Sequence, residues 1–138
     1  LLRLYRRAGA VAPPLAGIHY IHGGGWVMGS LEGYDLVYRY FCARAGCVLV
    51  AVDYRLAPEH KFPAGIDDAV ASHRWLQAEA TALGIDPARI VIAGDSAGGN
   101  GAAVAARPLR GRGRPPCLTT VAPSTAKPRS IAQPVARF

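Results

Sequence analysis

Two periods of apolar residues alternate along positions 1–106, and each period marks one kind of secondary structure. Short apolar runs predict strands at 1–6, 18–21, 47–52 and 89–93. Three longer stretches carry apolar residues at helical spacing and predict helices over 34–45, over 64–83 and from Ser96 to about Ala106. Gly46 and Gly84 stand just past the first two of these stretches, where glycine commonly ends a helix.

The order of these elements is that of an α/β protein. Strands and helices alternate with short connections, which predicts a mostly parallel sheet flanked by helices. The unbroken apolar run at 47–52 is typical of a strand that is covered on both faces. Such sheets bind ligands beyond the carboxyl ends of their strands. Because His22, Asp53 and Ser96 each follow a strand directly, we expect them at one edge of the sheet.

The composition changes after Ala106. Residues 107–138 hold six of the eleven prolines and show neither a strand period nor a helix period. A segment of this kind cannot bury enough apolar surface to order itself. We therefore predict one globular domain over 1–106, a basic, Pro/Arg-rich, disordered tail over 107–138, and a sheet that stops after the helix that follows Ser96.

The net charge of +7 belongs to that tail. Residues 1–106 contain nine Lys and Arg together with all nine Asp and Glu, whereas residues 107–138 contain seven bases and no acid. A basic disordered segment can bind phosphates without specificity. However, no aromatic residue lies between Arg107 and Arg137 on which a base could stack. We therefore expect no nucleic-acid partner.

The three cysteines, Cys42, Cys47 and Cys117, match neither a disulfide framework nor a metal-ligand spacing. We therefore predict reduced thiols, a cytoplasmic location and no bound metal. No apolar run approaches the roughly 18 residues that a membrane span needs, so we expect no membrane partner. The sequence leaves the oligomeric state open.

The run Gly94-Asp95-Ser96-Ala97-Gly98 lies between the last predicted strand and the last predicted helix. Small residues two before and two after a serine let strand and helix approach closely, so that the hydroxyl stands exposed on a sharp turn. Such a serine is suited to nucleophilic attack. A glycine-rich turn that merely contains a serine is the alternative interpretation.

A glycine run, His22-Gly23-Gly24-Gly25-Trp26, follows the strand at 18–21. The carbonyl that a serine attacks needs hydrogen-bond donors for the oxyanion that forms. Backbone N–H groups of these glycines can point into the space above Ser96, and the N–H of Ala97 can join them. The combination of the two motifs favours a catalytic interpretation over a flexible turn.

Three motifs together resemble the hormone-sensitive-lipase branch of the α/β-hydrolase esterases. They are His22 to Trp26, the run Asp53-Tyr54-Arg55-Leu56-Ala57-Pro58-Glu59, and the run Gly94 to Asn100. The resemblance covers residues 1–106 and implies a partial α/β-hydrolase fold and a carboxylic ester hydrolase without a cofactor, acting on short- to medium-chain acyl esters. It implies Ser96 as the nucleophile, and Gly24, Gly25 and Ala97 as oxyanion donors with Gly23 as a possible substitute. It gives His22 the role of shaping the oxyanion loop.

One part of the family pattern is missing from these 138 residues. In such enzymes the acid and the base histidine follow the serine, but no Asp, Glu or His follows Ser96 here. We therefore expect weak or no turnover, and a tail read in a shifted frame would explain the change of composition. A non-catalytic protein that binds a small acyl ligand, or a scaffold protein, is the alternative.

Earlier residues offer little to replace the missing partners. His60 is the one histidine in a loop without another assigned role. We expect Asp53, Arg55 and Glu59 to form a hydrogen-bonded loop network rather than a proton relay. Asp95 and Asn100 are expected to support the turn at Ser96.

Overall fold

The computed structural model describes residues 1–9 and 14–107, and the backbone of residues 117–121. Its elements in chain order are β1 (Leu2–Tyr5), β2 (Leu15–Ile21), α1 (Asp35–Ala45), β3 (Val48–Val52), α2 (Ala64–Glu79), β4 (Ile85–Asp95), α3 (Ser96–Ala106) and β5 (Cys117–Val121). Every strand and helix predicted within 1–106 is confirmed. Helix α2 ends at Glu79, earlier than predicted, because the chain turns tightly there and the Ile85 N–H donates to the Ala80 carbonyl oxygen at 2.8 Å.

The five strands form one sheet in the order β1-β3-β2-β4-β5. Strand β1 runs antiparallel to β3, and the other neighbours are parallel, so the predicted mostly parallel sheet is confirmed. The chain passes from β2 to β3 on one side and then returns past β2 to β4. The carboxyl ends of β2 and β4 are therefore adjacent, with Ile21 paired to Gly94. This is the switch point at which open α/β sheets bind their ligands.

Both faces of β3 are buried, as its apolar sequence predicts. Leu49 and Ala51 belong to the core on the side of α1, whereas Val48 and Val50 belong to the core on the side of α2. Alternate residues of a strand point to opposite faces, so one apolar run serves two cores. The helices thus cover the sheet from both sides and fix the ends of β2, β3 and β4.

Strand β5 corrects the prediction of a disordered tail at five residues. The backbone of Cys117–Val121 pairs in parallel with β4 from Val91 to Asp95. The edge of β4 offers a row of N–H and C=O groups that a short run with β-branched residues can pair. This run was not predicted because the composition was judged over the whole segment. The sheet therefore continues beyond α3. The rest of 107–138, apart from Arg107, lies outside the described residues.

Two buried histidines lie between β2 and α2. The rings of His19 and His73 are 5.3 Å apart, and both residues have no exposed surface. The Ser72 hydroxyl lies 3.0 Å from His19 Nε2 and also donates to the Ala69 carbonyl oxygen. Burial lowers the pKa of His19 to about 3, with a smaller effect from His73, and burial lowers the pKa of His73 to about 4. Both rings are therefore neutral near pH 7.

We expect the chain to lose stability as the pH falls below about 6.5, which is the ordinary pKa of histidine. Below that pH the unfolded chain binds protons that the folded chain excludes. The free energy of unfolding is therefore highest above pH 6.5, as far as these two histidines are concerned, and it falls progressively toward pH 3. Urea unfolding at pH 7.5 and pH 5 should differ by at least about 1 kcal/mol. The double variant His19→Leu/His73→Leu should flatten this difference, whereas His60→Gln, at an exposed histidine, should keep it. An unchanged difference in the double variant would contradict this assignment.

Candidate active site

Ser96 stands on a sharp turn at the junction of β4 and α3. Asp95 has an extended backbone with φ −114° and ψ 149°, and Ser96 has φ 48°, which is a left-handed conformation that non-glycine residues rarely adopt. The serine is exposed. A methyl group at Gly94 would overlap the backbone of Gly98, and one at Gly98 would overlap the Ile21 carbonyl oxygen. The turn therefore has the geometry that the G-x-S-x-G pattern predicts.

The glycine loop after β2 lies beside this turn. Gly24 has φ 123° and Gly25 has φ 61°. The Gly24 carbonyl oxygen accepts the N–H of Val27 at 3.2 Å and that of Met28 at 3.0 Å. Within the described residues, neither the Gly24 N–H nor the Gly25 N–H donates a hydrogen bond. Both groups are thus available to an oxyanion.

Gly23 is not available in this way, and its prediction as a substitute donor needs correction. Its N–H donates to Asp95 Oδ1 at 3.0 Å. A Cβ at this position would also overlap Asp95 Oδ2. Asp95, the residue before Ser96, therefore accepts the first N–H of the glycine loop and joins the loop to the turn.

Two tyrosines also donate to the Asp95 carboxylate. Tyr20 Oη lies 3.2 Å from Oδ1, and Tyr34 Oη lies 2.9 Å from Oδ2. Burial, together with the carboxylate, raises the pKa of both phenols, so they remain protonated donors. Sequence analysis missed both residues. Tyr20 lies on β2, two residues before His22, which is a weak signal, but nothing in the sequence marks Tyr34.

The His22 side chain is buried and contacts the glycine loop. Its Nδ1–H donates to the Gly23 carbonyl oxygen at 2.7 Å, and its ring stacks on Tyr54 with centroids 4.4 Å apart. The Tyr54 hydroxyl donates to the His22 carbonyl oxygen at 2.9 Å. A side chain at Gly29 would collide with the imidazole. The imidazole is therefore enclosed by the glycine loop and by Tyr54 and has no exposed surface.

The predicted network of Asp53, Arg55 and Glu59 is not formed. Arg55 pairs instead with Asp68 of α2, with Nη2 at 2.8 Å from Oδ1 and Nε at 2.9 Å from Oδ2. The guanidinium lowers the pKa of the Asp68 carboxyl. Asp53 and Glu59 make no side-chain hydrogen bond within the described residues. The reason is geometric, since the chain turns Arg55 toward the first turn of α2, which sequence separation does not reveal.

This loop is nevertheless attached to the glycine loop. The Ala57 N–H donates to the Trp26 carbonyl oxygen at 2.9 Å. A mainly apolar cavity of about 440 Å³ lies between the two loops and α3, and its lining includes Gly25, Trp26, His60, Phe62, Asn100 and Val104. Asn100 is exposed and makes no side-chain hydrogen bond to another described residue, so its predicted bracing contact is not observed. His60 is the only exposed histidine within 1–9 and 14–107.

The described residues contain no group of three His, Cys, Asp or Glu side chains that could hold a metal ion. None of the described helices is both long and apolar enough to cross a membrane. Cys42 and Cys47 are buried thiols, and burial raises the pKa of Cys47 to about 11. The Cys47 thiol therefore stays protonated near pH 7.

Comparison with known proteins points to one family. A sequence profile of the α/β-hydrolase fold matches residues 18–135, which crosses the predicted domain boundary at 106. The chain is 55% identical over 99 residues to carboxylesterase NlhH of Mycobacterium tuberculosis, covering 72% of this chain and 31% of that protein. It is 46% identical over 110 residues to the ethyl acetate hydrolase of Pseudomonas putida, covering 78% of this chain and 34% of that protein.

The fold is also similar to that of a solved esterase. The hyperthermophilic esterase from the archaeon Pyrobaculum calidifontis superposes with a TM-score of 0.76 at 47% sequence identity, covering 83% of this chain and 36% of that one. The chain spans about a third of the length of the curated relatives it matches.

Proposed function

The chain belongs to the α/β-hydrolase family, in its hormone-sensitive-lipase-like branch of carboxylesterases, and we propose that residues 1–106 carry the nucleophile and the oxyanion hole of a carboxylic ester hydrolase. Ser96 is the nucleophile, and the N–H groups of Gly24, Gly25 and Ala97 are the oxyanion donors. The observation that carries this proposal is the placement of an exposed serine at φ 48° beside a glycine loop with two available N–H groups.

In the proposed reaction, Ser96 Oγ forms a bond to the ester carbonyl carbon and releases its proton to a base. The carbonyl oxygen takes the electron pair and is held by the backbone donors. Collapse of this intermediate expels the alcohol, and water then hydrolyses the acyl-serine. A loss of one donor in such a site typically costs about 100- to 1000-fold in rate, so the glycine loop contributes a large share of catalysis.

The proposed substrates are small esters with short- or medium-chain acyl groups. The cavity of about 440 Å³ beside Gly25 is lined mainly by apolar side chains, which suits an acyl or alkyl group. A similar relative is named for the hydrolysis of ethyl acetate, which is an ester of this size.

Of the groups that this reaction needs, the base that accepts the Ser96 proton is the one with the weakest candidates among the 138 residues. His19, His22 and His73 are buried, and no histidine follows Ser96 in the sequence. A triad enzyme that lacks its base retains about 1000- to 10,000-fold rate enhancement over water from the oxyanion hole and from binding. We propose this slow turnover for the 138-residue chain by itself. A non-catalytic protein that binds an acyl ligand is the second candidate, favoured by the same absence of a base.

The experiment measures turnover of p-nitrophenyl butyrate and binding of n-butylboronic acid, which forms a tetrahedral adduct with an exposed serine. We expect a slow rate above that of the buffer, and at least about tenfold weaker boronate binding in Ser96→Ala. Ser30→Ala is the matched control, because Ser30 lies outside the turn at Ser96 and its Oγ accepts the Gly33 N–H at 3.0 Å. Ester binding without turnover, and with no Ser96-dependent adduct, would favour the binding protein instead.

A further inference from the structure

The Asp95 carboxylate accepts three hydrogen bonds that come from three separate parts of the chain. The donors are the Gly23 N–H at 3.0 Å, Tyr20 Oη at 3.2 Å and Tyr34 Oη at 2.9 Å. The first lies in the glycine loop, the second on β2, and the third directly before α1. Asp95 itself is the residue before Ser96. One carboxylate thus connects the turn, the glycine loop, the sheet and a helix.

The two oxygens of this carboxylate are not equivalent. Oδ1 is shared by Gly23 and Tyr20, whereas Tyr34 is the only donor to Oδ2 among the described residues. Loss of the Tyr20 hydroxyl would leave Oδ1 bonded to the Gly23 N–H. Loss of the Tyr34 hydroxyl would leave Oδ2 without a partner in a half-buried place, and an unpaired charged oxygen turns toward water where it can. Such a turn would withdraw Oδ1 from Gly23.

Packing against neighbouring aromatic rings also fixes the position of the Tyr34 side chain beside the glycine loop. Its ring lies 5.3 Å from that of His22 and 5.9 Å from that of Tyr38, which is fully buried in α1. A Cβ built at Gly23 would lie 3.0 Å from the Tyr34 hydroxyl oxygen, so the hydroxyl touches the glycine loop as well as the carboxylate. The phenol is therefore positioned by packing before it donates.

We propose that Tyr34 is a positioning residue for the oxyanion hole, acting through Asp95 to fix the Gly23 peptide and with it the direction of the Gly24 and Gly25 N–H groups. This proposal rests on the proposed function of the glycine loop. Tyr34 touches no reacting atom. Hydrogen bonds to charged groups are about twice as strong as those between neutral groups, so the loss of this one is expected to be measurable at the loop.

The test uses the 138-residue chain with Tyr34→Phe, Tyr20→Phe and Tyr40→Phe. Tyr40 is the matched control, because it lies on α1 with 61% of its surface exposed. Hydrogen exchange of the Gly23 amide should accelerate about tenfold in Tyr34→Phe, less in Tyr20→Phe and not at all in Tyr40→Phe. The slow turnover of p-nitrophenyl butyrate should lose kcat about tenfold in Tyr34→Phe with KM unchanged, a split that a general loss of packing would not give.

Two failures can be distinguished in this experiment. If Gly23 exchange in Tyr34→Phe stays within about twofold of the parent chain, the positioning role is overturned, whatever the ester assay shows. If Gly23 exchange accelerates while neither the parent chain nor Ser96→Ala forms a boronate adduct, the coupling stands and the proposed function fails. A fall in the exchange protection of all amides together would show a structural role and would also overturn the proposal.

Discussion

Gly98→Ala is expected to lower the free energy of unfolding by about 3 kcal/mol, at the upper end of what overpacking costs. A Cβ at Gly98 would overlap the carbonyl oxygens of Ile21 and His22. These atoms belong to the backbone at the end of β2, which is held by β3 and β4 on its two sides, so they cannot move aside as a flexible side chain would. Helix α3 would have to withdraw from the sheet and carry the turn at Ser96 with it.

The sign of this effect is opposite to that of the helix propensity. Alanine in place of glycine within a helix ordinarily stabilises by about 1 kcal/mol. Gly101→Ala in the same helix is the matched control, since its Cβ would meet the end of the Trp26 ring at 3.0 Å, and a ring can shift. Urea unfolding followed by circular dichroism should separate the two variants by more than about 2 kcal/mol. Equal stabilities would mean that α3 does not approach β2 as closely as the structure shows.

Sequence analysis predicted that small residues must flank Ser96, but it could not predict what they approach. The motif places Gly94 and Gly98 around the serine. Their partner, the end of β2, follows from the strand order, in which β2 and β4 are neighbours although α1, β3 and α2 lie between them in sequence. Local patterns determine the elements, whereas the pairing of distant strands determines the contacts.

The same distinction explains the residues that were assigned wrongly or missed. Arg55 pairs with Asp68 because the loop folds back onto α2, and the two residues belong to different predicted elements. Tyr34 reaches Asp95 across 61 positions of sequence. Strand β5 was missed for another reason, since its five residues are surrounded by proline and arginine and the composition was averaged over the whole segment. Motifs with a fixed local geometry could be predicted, and side-chain contacts across the sheet could not.

Gly24→Ala is expected to reduce the slow ester turnover that we propose for the chain by about 100- to 1000-fold, to a rate near that of water. Gly24 has φ 123°, a conformation that a residue with a Cβ rarely adopts, and a Cβ there would overlap the Met28 carbonyl oxygen. The turn in which Met28 N–H donates to Gly24 O at 3.0 Å could therefore not form. Without this turn, the N–H groups at positions 24 and 25 would lose the direction that the proposed oxyanion hole requires.

Gly25→Ala separates this explanation from a general intolerance of side chains in the loop. Gly25 has φ 61°, and a Cβ there would meet no atom within 4 Å, so alanine costs only about 1 to 2 kcal/mol of backbone strain and keeps the N–H donor. We expect less than about a tenfold loss of turnover in this variant. Turnover of p-nitrophenyl butyrate by both variants, with circular dichroism to show that the sheet is retained, gives the comparison. Equal losses would show that the loop is intolerant of any added side chain. No loss in Gly24→Ala would contradict the proposal that the glycine loop supplies oxyanion donors.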